Sequence, residues 1–199
     1  LEQGRVQPVE LDAPARQALK KTKDTALQAR AEKIFNGLTS PDREEVVRRN
    51  QAALAAPGDR TRGAALFART CLACHMVQGK GQTVGPDLSG TGTRPKEALL
   101  VDILDPSRQV SPDFISYTVT TAKGETFSGL IAGETATSIT LRRASLPDET
   151  LLRSQIKELR ADGKSLMPDG LEQGMNQQDV ADLLDFLRQP DASLFPKAN

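Results

Sequence analysis

Two thiols and one imidazole stand together in Cys71-Leu72-Ala73-Cys74-His75, and no other Cys or His occurs in the 199 residues. The C-x-x-C spacing sets the thiols about one helical turn apart, where they can add to the two vinyl groups of a haem while the next residue offers its imidazole to the iron. One covalently attached haem c, with His75 as a metal ligand, is the chemistry these five residues serve. Other chemistries use similar residues. Zinc needs about four N or S ligands, and three are present, all from adjacent positions. A thioredoxin-like dithiol would sit after a strand in a βαβ pattern, which is absent here. A structural disulfide or two free buried thiols would give the imidazole no part.

The flanking segments must hold this pentapeptide in place. Small and apolar residues over 60–70 predict a helix that delivers the chain into Cys71. The stretch 79–92 contains five glycines and Pro86, so it reads as a loop wrapped around something. Residues 95–104 predict a short helix stopped by Pro106. Asn176, Asp179 and the stripe Val180, Leu183, Leu184, Leu187 predict the clearest helix, ended by Pro190.

Between these lies a block of different period. Tyr117, Val119 and Thr121 alternate, as do Phe127, Gly129 and Ile131, and then Ile139 and Leu141. Four or five short antiparallel strands are expected over 114–160, followed by a Gly- and Pro-bearing loop at 163–170. Upstream, an amphipathic helix is expected over 13–38, and Ser40-Pro41-Asp42 starts a second that runs to about residue 55. Residues 1–56 are read as a helical arm or linker, or as the end of a helical repeat array.

Basic and acidic residues number 26 each, so no general attraction to nucleic acid or an anionic membrane is expected. No window approaches the roughly 18 to 20 apolar residues of a transmembrane segment. A chain opening at Leu1 without an initiator Met is expected to be a mature chain after signal removal or a piece of a longer polypeptide. Attachment of haem by this motif takes place after export, which points to the periplasm or an equivalent compartment. Aromatics make up 4% of the chain and Trp is absent, a shortage of apolar bulk that a haem would offset.

These pieces resemble the class I cytochromes c. Gly63-Ala64-Ala65-Leu66-Phe67 is similar to that family's first helix, where the glycine allows a close helix crossing and the aromatic packs near the haem. Gly85-Pro86-Asp87-Leu88 resembles the loop whose proline carbonyl accepts a hydrogen bond from the ligand histidine, a role the resemblance gives to Pro86. Within the family the likeness sharpens to the haem-binding domains of planctomycete and verrucomicrobial multidomain proteins. It rests on Gly85 to Leu88, Ile103 to Pro106, the strand block, Ser165 to Pro168 and the final helix, and covers about residues 59–189.

Taken with the resemblance, the chain reads as mainly α: a cytochrome c fold (57–113 and 161–190) with an inserted small antiparallel β unit (114–160), preceded by the N-terminal helical arm (1–56), which lies outside the likeness. The resemblance also implies a sixth iron ligand just before the terminal helix. Met76 adjoins His75 and cannot reach the opposite haem face; Met167 occupies the family's position, and Met175 is the near competitor. Arg94 is a candidate propionate partner, with Lys80 and Tyr117 in segments that could border the haem edge.

A His–Met pair closes both axial positions and suits single-electron, outer-sphere transfer, with no catalytic residue and no enzyme activity of the domain's own. The expected partner is a redox protein or a fused dehydrogenase domain. An iron left open would instead suit a gas sensor or peroxide-reducing enzyme, and a β unit that recognises a partner would make the haem merely structural.

Overall fold

The computed structural model describes residues 13–36, 41–143 and 146–197. Along the chain come α1 (Ala13–Lys20), α2 (Thr25–Asn36), α3 (Pro41–Asn50), α4 (Arg60–Thr70), β1 (Met76–Val77), β2 (Lys80–Gly81), α5 (Lys96–Leu104), β3 (Ile115–Thr121), β4 (Thr126–Glu134), β5 (Ser138–Arg143), β6 (Leu146–Leu152), β7 (Ile156–Ser165) and α6 (Gln177–Arg188). They form two compact units, Leu1–Ser40 with Ser107–Met167, and Pro41–Pro106 with Pro168–Asn199.

The first unit is built on one antiparallel sheet of order β6-β5-β4-β3-β7. Strands β3 to β6 follow one another as a meander, and β7 returns to pair with the free side of β3. The alternation seen in the sequence puts Val119, Ile139, Leu141 and Leu151 into its own buried cluster. In α1 and α2, the helix expected over 13–38 is broken. Asp24 accepts from the amides of Ala26 and Leu27, both at 3.0 Å, and so caps α2 after a turn at 21–24. Leu38 and the proposed cap Ser40 lie outside the described residues.

The mainly α reading is corrected by this sheet. The chain is 44% helical and 25% strand, with six helices and a five-stranded antiparallel sheet among the described residues. The reason is physical: the strands run to 6–10 residues, β7 continues into the start of the expected loop as far as Ser165, and the meander buries a core of its own. It belongs to a compact unit with a buried cluster of its own and is more than a small addition to a helical one.

The second unit is helical, and its core runs through α3, α4, α5 and α6. Val47, Ala53, Phe67, Leu100, Leu104, Leu184 and Phe186 belong to one cluster, so residues 41–56 pack within this unit. Helix α4 is capped by Asp59, whose carboxylate accepts from the amides of Thr61 and Arg62. Helix α6 carries the capping box anticipated from Asn176 and Asp179, and its stripe Val180, Leu183, Leu184 and Leu187 is buried. The two helices cross at Gly63, where a β-carbon would lie 2.1 Å from the Asp182 carbonyl oxygen. No described helix is long and apolar enough to cross a membrane.

Candidate haem site

The pentapeptide begins where α4 ends. Cys71 is the C-terminal cap of α4, its amide donating to Phe67 O at 2.7 Å, and the amides of Cys74 and His75 both donate to Cys71 O, at 3.0 and 2.8 Å. This turn gathers both thiols and the imidazole at one end of the helix. The cysteines are not joined to each other. Burial pushes the Cys71 thiol up to about 12, with the neighbouring Cys74 adding to the effect, and burial raises Cys74 as well. A redox dithiol works through a lowered thiol pKa, so the shifts run against that reading. Among the described residues, no group of three or more His, Cys, Asp or Glu converges as a metal cage would.

The imidazole is fixed from two sides. His75 Nδ1 lies 2.9 Å from Pro86 O. A carbonyl can only accept, so Nδ1 carries the proton and Nε2 keeps its lone pair for a metal. Burial lowers the His75 pKa, the bond to Pro86 offsetting part of that, which favours the neutral ring an iron would need. Gly85 forms the second side. A β-carbon there would fall 2.5 Å from Cε1 and 2.8 Å from Nδ1 of His75, while the Gly85 amide donates to Cys74 O at 2.7 Å. The loop backbone thus lies against the ring face as only glycine permits.

The glycine-rich loop wraps the imidazole, as its composition suggested. After His75 the chain makes the short hairpin β1–β2, which has no signal in the sequence because each strand is two residues long. At Gly81 (φ 104°) a β-carbon would meet His75 O at 2.1 Å, so the returning strand also needs glycine. Leu88 donates its amide to Met76 O at 2.8 Å, closing the loop.

The remaining candidates fall at several places. Phe67 is fully buried in the core, tilted against Phe186 at 5.2 Å and stacked on Phe195 at 5.9 Å. The Phe195 contact has no periodic signal, since it comes from the segment after α6. Arg94 is half-exposed and ion-paired with Asp102 of α5, so its guanidinium already has a partner. Lys80 is exposed on β2, and Tyr117 packs in the sheet unit beside Val110 and Ile115. Met167 ends the sheet unit's segment of chain, its amide donating to Ser165 Oγ at 3.1 Å. Met175 is half-buried against the helical core, the cluster on which Cys71 and Leu72 also pack.

Two uncommitted thiols on one turn, a neutral imidazole with Nε2 free of its hydrogen-bonding role, and a glycine cradle fit a covalently held haem. Cys71, Cys74 and His75 would hold it, with Pro86 fixing the ring.

No curated protein matches the chain. Residues 61–127 match the Cytochrome c family model, a span that contains α4 from its second residue on, the pentapeptide, Gly85, Pro86 and α5 and ends before Met167, Met175 and α6. Together with the geometry around His75, this match supports a haem-binding, electron-transfer cytochrome of the c type.

Proposed function

We propose that this chain is a monohaem electron carrier that accepts single electrons from a dehydrogenase-type donor and passes them to a downstream acceptor, without enzyme activity of its own. The observation that carries the reading is the His75 Nδ1 to Pro86 O contact of 2.9 Å. It orients the ring, commits the proton to one nitrogen and raises the donor strength of the other. A haem bound here would supply a one-electron iron couple. Cys71 and Cys74 would hold it by thioether bonds, with the Gly85 backbone set against the His75 ring and the apolar side chains of Leu72 and Leu88 packed on the adjoining helical core.

Met167 is the proposed sixth ligand, supported by its place in the Ser-x-Met-Pro segment ahead of α6; Met175 is the competing ligand, supported by its packing on the cluster that includes Cys71. Arg94 is not needed for the reading, since Asp102 already engages it. The donor is proposed to be a fused or docked dehydrogenase domain, as in the planctomycete-type proteins that the motif order resembles, where tethering raises the effective concentration. Haem attachment through this motif supports an exported or periplasmic location.

The test is the absorption spectrum of the oxidised and reduced protein, with carbon monoxide added to the reduced form. A c-type haemochrome, a weak far-red sulfur-to-iron band and no carbon monoxide shift are expected. Met167→Ala should abolish the band and Met175→Ala should leave it. Ready carbon monoxide binding by the wild type would replace this reading with sensing or peroxide chemistry.

A further inference from the structure

We infer that Gln78 is a positioning residue that ties the histidine loop to the segment following α6, an inference that rests on the haem reading above. Gln78 occupies the first central position of the β1–β2 turn with φ 48°, and Gly79 follows at φ 78°; among the described residues Gln78 is the one non-glycine at positive φ. Two positive φ values in a two-residue hairpin turn are the pattern in which Asn or Gly normally stands first, because a longer side chain gains nothing there to offset the strain. A glutamine in this position is explained by what its side chain reaches. Its Nε2 donates to Pro190 O at 3.0 Å, and its Oε1 accepts from the Ala192 amide at 3.1 Å. Asparagine, one methylene shorter, could not span to both.

The same residue holds the loop that supports the imidazole. The Gln78 amide donates to Ser89 Oγ at 2.7 Å, and Ser89 Oγ donates to Asp87 Oδ1 at 2.5 Å, with the Ser89 amide also on Asp87 Oδ1 at 2.8 Å. Asp87 follows Pro86, whose carbonyl accepts the hydrogen bond from His75. The tail is itself anchored in the core, because Phe195 stacks on Phe67, one turn before Cys71. Gln78 therefore joins a packed anchor to the loop that presents Pro86 O. Its side chain acts on the iron ligand through the loop and touches no reacting atom.

The experiment uses the haem-loaded chain and two substitutions, Gln78→Asn and Gln78→Gly. Both suit a positive φ at least as well as glutamine and neither spans the gap, so backbone strain is relieved while the bridge is lost. Solvent exchange of the Ala192 amide and of the His75 Nδ1 proton is followed by NMR in the reduced protein, alongside global stability. Both protons should exchange roughly three- to tenfold faster in either variant, with stability unchanged or raised. If Ala192 speeds up while the His75 proton does not, Gln78 merely fastens the tail and the inference is overturned. If neither changes, the bridge does not form in solution, and the inference is overturned as well. A wild type that carries no covalent haem would defeat the underlying reading instead, and the Ala192 exchange would still report on the bridge.

Discussion

Gly63 of α4 lies against Asp182 of α6 so closely that a β-carbon on it would fall 2.1 Å from the Asp182 carbonyl oxygen and 2.9 Å from Cβ of Phe186. The obstacle is backbone and a Cβ, which cannot swing aside as a side-chain tip could. Gly63→Ala must therefore push two packed helices apart at the point from which α4 leads to Cys71. A loss of at least about 3 kcal/mol is expected, the upper part of the range for overpacked cores. Gly90→Ala is the control, since a β-carbon there meets nothing within 4 Å at a φ of −94°. Chemical denaturation of the two variants checks the contrast; equal stabilities would show that the crossing is looser than described.

Asp182 also gives the fold an acid-sensitive joint. Its carboxylate is almost wholly buried and accepts from Arg62 Nε at 2.6 Å, the Asp59 amide at 2.7 Å and Gln178 Nε2 at 2.8 Å. Burial alone would raise its pKa, but the Arg62 pair and the two other donors outweigh burial and hold the carboxyl below the ordinary range. The folded pKa is depressed, so the contribution is complete above the unfolded value near 4 and fades as pH falls through that value toward the lower folded one. Asp182→Asn should cost about 2 kcal/mol at neutral pH and flatten the fall in stability below about pH 4. Unfolding midpoints for both proteins between neutral and acid pH test the sign.

These joints show what could be read ahead of the structure. The haem motif, the span of α4 and the cap and end of α6 were legible because each is local: a pentapeptide, a run of small and apolar residues, and an Asn176 cap with a period of 3.6. The strand block was legible as a period of 2, but its weight was not, since periodicity does not reveal that Val119, Ile139, Leu141 and Leu151 close a core of their own. The break at 21–24 did carry a local signal, because Asp24 stands just ahead of Thr25 in a capping position, but the helical period runs on past it. Contacts across long separations left no local signal. Arg43 with Glu172, Gln78 with Pro190 and Phe67 with Phe195 pair residues more than a hundred positions apart and follow from the tertiary fold alone.

The Arg43 contact makes residues 41–56 part of the helical unit's stability. Arg43 gives two 2.9 Å bonds to the Glu172 carboxylate and donates from Nε to Leu104 O at 2.6 Å, with both side chains of the pair close to 90% buried. Arg43→Met would keep much of the stem's packing and leave Glu172 and the end of α5 without their donor. A loss of about 3 kcal/mol is expected, because the remaining carboxylate is buried without its counter-charge. Adding Glu172→Gln should recover a part of it, which a double-mutant cycle by denaturation would measure. Strict additivity of the two substitutions would mean that the pair does not couple.

The last prediction concerns the ring face of His75. A β-carbon on Gly85 would stand 2.5 Å from Cε1 and 3.1 Å from Nε2, so Gly85→Ala forces either the imidazole or the loop to move. Either movement stretches the contact from Nδ1 to Pro86 O and turns Nε2 away from the direction that the loop now dictates. The three atoms nearest the added β-carbon all belong to the His75 ring, so covalent haem attachment through Cys71 and Cys74 should survive while the proposed histidine bond weakens. An overpacking strain of about 1–3 kcal/mol corresponds to roughly a 5- to 150-fold easier displacement of His75 by an added ligand such as cyanide or imidazole. Titrating the oxidised wild type and variant with such a ligand, followed by absorbance, reads this directly. The variant should also be less stable in its haem-loaded form, since a bond from the ring to iron would help to hold the loop closed. Unchanged displacement with haem still attached would mean that the loop yields without loss at Gly85, and that Pro86 alone orients the ring.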